Sequence, residues 1–69
     1  MGMSTPKTKA EAREKIAKLQ GDIAHLQASL VRTKSQLGET PQGTGYIRER
    51  IADKRAKIAK LRAKIPSLP

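Results

Sequence analysis

The chain has no cysteine, no tryptophan and no phenylalanine, and Tyr46 is its single aromatic side chain. Without cysteine, no disulfide can staple a fold of 69 residues, and the usage fits a reducing compartment. Without bulky aromatics, a core of this size encloses little volume, so stability is expected to come from self-association. One tyrosine is also no platform for stacking single-stranded bases. The only histidine, His25, has no second His or Cys to share a metal with. No apolar run approaches the roughly 20 residues of a membrane span, and no signal-peptide pattern is present. A cytoplasmic location is therefore expected, with no membrane partner. Acid is scarce as well. Six Asp and Glu against 15 Lys and Arg leave a net charge of +9, which suits a polyanionic partner.

What is present is an internal repeat. Ala10–Ile23 (AEAREKIAKLQGDI) returns 42 positions later as Ala52–Ile65 (ADKRAKIAKLRAKI), with eight of the fourteen positions identical. An offset of six heptads preserves helical phase, so the chain reads as two helices of one kind. In the first, Ile16, Leu19, Ile23, Leu26, Leu30, Thr33 and Leu37 alternate steps of three and four, which is an a/d heptad seam. In the second, Ile47, Ile51, Lys54, Ile58, Leu61 and Ile65 do the same, with Lys54 the one polar member. Lys54 is expected to carry its ammonium out to water beside the seam.

These signals predict an all-α fold, an antiparallel helical hairpin that is a two-helix coiled coil. The first helix is expected over 9–37, capped by Thr8 with Glu11 and ended by Gly38. A connector over 38–45 holds three glycines and a proline. The second helix is expected over 46–65, with Thr44 as its cap and Pro66 as its stop. Residues 1–7 read as a flexible basic arm, with Met1-Gly2 an addition before a native start, and residues 66–69 as an extended tail. Folding the hairpin about the middle of the connector pairs Leu37 with Ile47, Leu30 with Lys54, Leu26 with Ile58, Ile23 with Leu61 and Leu19 with Ile65.

A second stripe of small residues runs nearly opposite the seam. Ala17, Gly21, Ala24, Ala28 and Val31 lie on the first helix, and Ala52, Ala56, Ala59 and Ala63 on the second. Gly21 costs about 1 kcal/mol relative to alanine in mid-helix, and a close helix–helix contact would offset that. The stripe is the candidate oligomer interface of a four-helix bundle or larger helical oligomer, and its alternative is an exposed alanine face.

The cations concentrate on the second helix, with eight basic side chains against Glu49 and Asp53. Arg48, Arg55 and Arg62 fall at e, and Arg50, Lys57 and Lys64 at g. With Lys60, and with Lys7 and Lys9 from the arm, these are the candidate nucleic-acid-binding residues. The positions facing them on the first helix hold only one acid, Asp22. Cation rows without internal partners suit a phosphate backbone. In size and hairpin plan the architecture resembles the plasmid copy-number Rop proteins, a likeness of plan that implies a two-hairpin bundle on paired RNA loops.

No catalytic constellation is visible. Ser29 and Ser35 have no neighbouring base, the acids are dispersed, and Gly43-Thr44-Gly45 lacks phosphate-loop spacing. The expectation is a non-enzymatic protein with no cofactor, metal or small-molecule substrate. It would bind the backbone of duplex DNA or RNA as an oligomer. The competing expectation is a structural or adaptor coiled coil, or a small phage-type inhibitor, that binds another protein through its helical faces.

Overall fold

The computed structural model describes residues 5–69; the expected Met1-Gly2 addition and the start of the arm fall on residues 1–4, outside the described residues. The described chain is all helical, with no strand among the described residues. Two α-helices, α1 (Lys9–Leu37) and α2 (Tyr46–Lys64), pack against each other in a rod of 46 × 21 × 16 Å. The long dimension is that of α1 itself, since 29 residues at about 1.5 Å each span roughly 43 Å.

The start of α1 is held at several points. Thr8 is extended and its hydroxyl accepts from the Glu11 N–H at 3.1 Å. The Glu11 carboxylate reaches back one residue further than a capping box requires, accepting from the Lys7 N–H at 2.8 Å. Pro6 is buried. At the other end, Gly38 takes φ 73°, and its N–H donates to the Lys34 carbonyl at 2.9 Å. A side chain there would be strained, which is why glycine suits the position where the helix ends.

The connector differs from its sequence reading. Pro41–Gly45 is not a loop but one π-helical turn that runs directly into α2, with the Gly45 N–H donating to the Thr40 carbonyl at 2.8 Å. The cap is Thr40, not Thr44. Thr40 is extended, its hydroxyl accepts from the Gly43 N–H at 3.0 Å, and Pro41 occupies the first helical position, where its missing N–H costs nothing. Gly43 is needed for packing, because a Cβ there would lie 2.8 Å from Thr40 Oγ1 and 3.1 Å from Thr33 Cγ2. Thr44 is instead a buried polar side chain. Its hydroxyl accepts from the Thr40 N–H at 2.9 Å and has the Thr40 carbonyl and Glu39 Oε2 within donating reach. The turn is therefore only Gly38–Thr40 long.

That short turn moves the hairpin's register by one heptad. The cross-helix contacts pair Lys9 with Pro69, Asp22 with Lys54 and Thr33 with Gly43, so facing residue numbers add to about 77 and the chain folds about Gly38–Glu39. The layers become Ala12/Ile65, Ile16/Leu61, Leu19/Ile58, Ile23/Lys54, Leu26/Ile51, Leu30/Ile47 and Thr33/Thr44. Burial follows this alignment. Ile16, Leu19, Ile23, Ile51, Ile58 and Leu61 form the core, with Leu26, Leu30, Ile47 and Ile65 packed against it. Ala12, outside the expected seam, is fully buried, whereas Leu37, expected to meet Ile47, is 69% exposed because nothing stands opposite it. Lys54 keeps its stem against the seam, with 19% of its side chain exposed, and carries its Nζ out to within 3.5 Å of Asp22.

The tail also departs from the expected extension. Pro66 does not end the helical path at once; Ile65–Ser67 forms a 3-10 turn and only Leu68 is extended. The chain then turns back so that the Pro69 carbonyl accepts from the Lys9 N–H at 3.0 Å, satisfying one of the first amides of α1. No helix among the described residues is long and apolar enough to cross a membrane.

Candidate nucleic-acid interface and a neighbouring groove

The register sorts the candidate cations onto two flanks of the rod. On one flank, Arg48, Arg55 and Arg62 stand at seven-residue intervals along α2, opposite Gln20 and Gln27 of α1. On the other, Lys57, Lys60 and Lys64 rise beside Lys15, with Thr5, Pro6 and Leu61 at their feet.

Near the turn, cations find partners within the hairpin. Glu39 receives Arg48 directly, holds Lys34 at 3.7 Å, and sits within hydrogen-bond reach of the Thr44 hydroxyl. Arg50 lies over the Tyr46 ring, 5.7 Å from its centroid, and reaches the phenol oxygen at 3.4 Å. Tyr46 is itself more than half exposed and serves as a seat for Arg50. Arg48 and Arg50 are accordingly engaged within the hairpin.

Toward the open end the balance changes. Arg55, Lys57, Lys60, Arg62 and Lys64 make no ion pair or side-chain hydrogen bond among the described residues, and all five are exposed. Lys57, Lys60 and Lys64 share one face of α2 at steps of three and four. Like charges so spaced destabilise a helix by about 0.2–0.5 kcal/mol per pair. Asp53 shares a shallow depression with Arg50, Lys54 and Lys57. Of the arm, Lys9 begins α1 and Lys7 is exposed, its N–H held by Glu11.

The arginine flank has a different floor. Gln27, Leu30, Arg48, Ile51, Ala52 and Arg55 line an open concavity of about 380 Å³. Gln20, Ile23, Arg55, Ile58, Ala59 and Arg62 line a second of about 350 Å³. Each lining residue of the second is the counterpart of one in the first, seven positions away on the same helix, and Arg55 belongs to both.

The small-residue stripe, Ala17, Gly21, Ala24, Ala28 and Val31 with Ala52, Ala56, Ala59 and Ala63, is exposed along its whole length, Val31 at 70%. A Cβ at Gly21 would meet nothing within 4 Å. Ala52 and Ala59 are shared between this stripe and the groove. His25 is exposed, and no three His, Cys, Asp or Glu residues gather around a possible metal position among the described residues. No protein-family model, curated protein or solved structure matches the chain.

Proposed function

We propose that this chain is a non-enzymatic, backbone-reading nucleic-acid-binding protein that takes a DNA or RNA duplex on its lysine flank and acts as a cytoplasmic oligomer. The observation that supports this reading is the set Lys57, Lys60 and Lys64, three exposed lysines on one face of one helix with no ion pair among the described residues. Such a row repels itself at a cost to helix stability, and a phosphate backbone converts that cost into binding. Lys is a compact point charge that suits sequence-independent phosphate contact. Arg55 and Arg62 add to the long-range attraction, and Lys7 and Lys9 extend the basic surface around the open end. The exposed alanine stripe is the surface through which copies would pack, so that several lysine flanks address one duplex.

Anisotropy of a labelled duplex of about 30 base pairs, titrated at several salt concentrations, tests the proposal. The expected result is binding whose log K falls linearly with log salt. Absence of binding at low salt overturns it. The second reading, an adaptor that binds another protein, is favoured by a separate observation, the repeated groove on the arginine flank.

A further inference from the structure

The geometry points to the arginine flank as a docking groove for an acidic amphipathic helix of a partner protein, which would complete a three-helix bundle. A helix can dock there whether or not a duplex binds the lysine flank. The two concavities have corresponding walls at corresponding places: glutamine on one bank, an aliphatic a-position residue from each helix in the floor (Leu30 and Ile51, then Ile23 and Ile58), an alanine at the edge, and arginines above and below. Holes repeated every seven residues, about 10.5 Å apart along a helix, fit side-chain knobs repeated every seven residues. A ligand with that period is another helix. A phosphate backbone offers nothing to fill an aliphatic hole.

Charge then selects the partner. Arg48, Arg55 and Arg62 border the groove at the same heptad interval, and no Asp or Glu lines either concavity. A helix bearing Glu or Asp at matching heptad positions meets them in pairs, as e/g contacts do between coiled-coil strands. A second copy of this chain, at +9, brings the wrong sign. Of the four aliphatic floor residues, Leu30 is only partly buried, which leaves apolar surface for a third helix to cover.

The test uses the full chain and a synthetic peptide of about three heptads, with Leu at a and d, Glu at e and g, and Ala elsewhere, whose own glutamates prevent it from pairing with itself. Expected is a one-to-one complex by sedimentation, with added helicity. R55Q/R62Q should weaken it about tenfold or more, while K57Q/K60Q/K64Q should leave it within about threefold. The variant A52R/A59R plugs both holes while raising the positive charge, so it separates shape from electrostatics. Loss of binding in this variant supports the groove; binding that is unchanged or stronger overturns it. Binding by a control peptide with Ser in place of every Leu overturns it too. A duplex that competes fully with the peptide, and that loses its affinity in R55Q/R62Q but not in K57Q/K60Q/K64Q, would make the groove a nucleic-acid site and overturn the proposal. Failure of duplex binding alone leaves the peptide result standing.

Discussion

On one side of the hairpin, Arg55 and Arg62 stand over aliphatic holes and face glutamines; on the other, Lys57, Lys60 and Lys64 face a further lysine and a proline-anchored arm. Both sides are strongly basic, so net charge does not distinguish them. The guanidinium groups are planar, weakly hydrated and able to fork onto a carboxylate, which suits a site that is partly apolar and shaped. The ammonium groups are strongly hydrated points on flexible stems, which suit contact with a backbone whose charges are everywhere and whose sequence is irrelevant. The turn end differs from both, because Glu39 there gathers Lys34 and Arg48 into exposed ion pairs within the hairpin.

The largest effect expected abolishes the distinction. Ile58 lies in the core opposite Leu19 and supplies floor to the groove. Ile58→Ala should cost about 2–5 kcal/mol, the range for deleting a buried branched side chain. In a seam this thin, that loss unfolds much of the helix. Circular dichroism should show the collapse, and duplex and peptide binding should fall together. A variant that kept full helicity would show that the seam is not what organises the two flanks.

K57Q/K60Q/K64Q should sharpen the comparison. Removing three phosphate contacts lowers the salt slope by about three and weakens duplex binding roughly a hundredfold at moderate salt. R55Q/R62Q should cost the duplex less than about tenfold, because those arginines act on it from a distance. Anisotropy on both variants decides the matter, and equal losses would erase the division between the flanks.

The two-flank arrangement was only partly legible in the residues. The a/d seam and the e and g cation rows follow from spacing, because helical phase converts spacing into faces. The register does not follow. Sliding one helix by a heptad still sets every a against a d, so the hydrophobic pattern is silent between the alternatives. The choice is made by Pro41–Gly45, whose glycines and proline resemble a loop but form a capped helical turn. Thr40 followed by Pro41 is the signal that reveals it, since that pair sits naturally at a helix start. With the extra turn, Leu37 loses its partner and Ala12 gains one, and Gln20 and Gln27, rather than any acid, come to face the arginines. The groove needed the register and so could not be read beforehand.

Thr40→Ala tests that turn. Loss of the Thr40 cap should cost about 1 kcal/mol and let the π-helical turn fray. Arg48 lies one turn beyond, so peptide binding should weaken modestly while duplex binding, which depends on the far end of α2, stays unchanged. Thermal unfolding gives the first quantity and paired titrations the second. A matching loss on both flanks would mean that the turn supports the whole rod and not one side of it.

The smallest change addresses the surface that belongs to neither flank. Gly21 sits mid-helix with open space where a Cβ would go. In an isolated hairpin, Gly21→Ala should therefore stabilise the protein by up to about 1 kcal/mol, since alanine loses less backbone entropy on entering a helix. In an oligomer that packs through the alanine stripe, the added methyl would enter a close helix–helix contact and the sign would reverse. Thermal midpoints measured across a range of protein concentrations separate the cases. A stabilisation independent of concentration assigns the stripe to solvent. A destabilisation that deepens on dilution assigns it to the contact between copies, and explains why a residue so poor at forming helices occupies the middle of a helix of 29 residues.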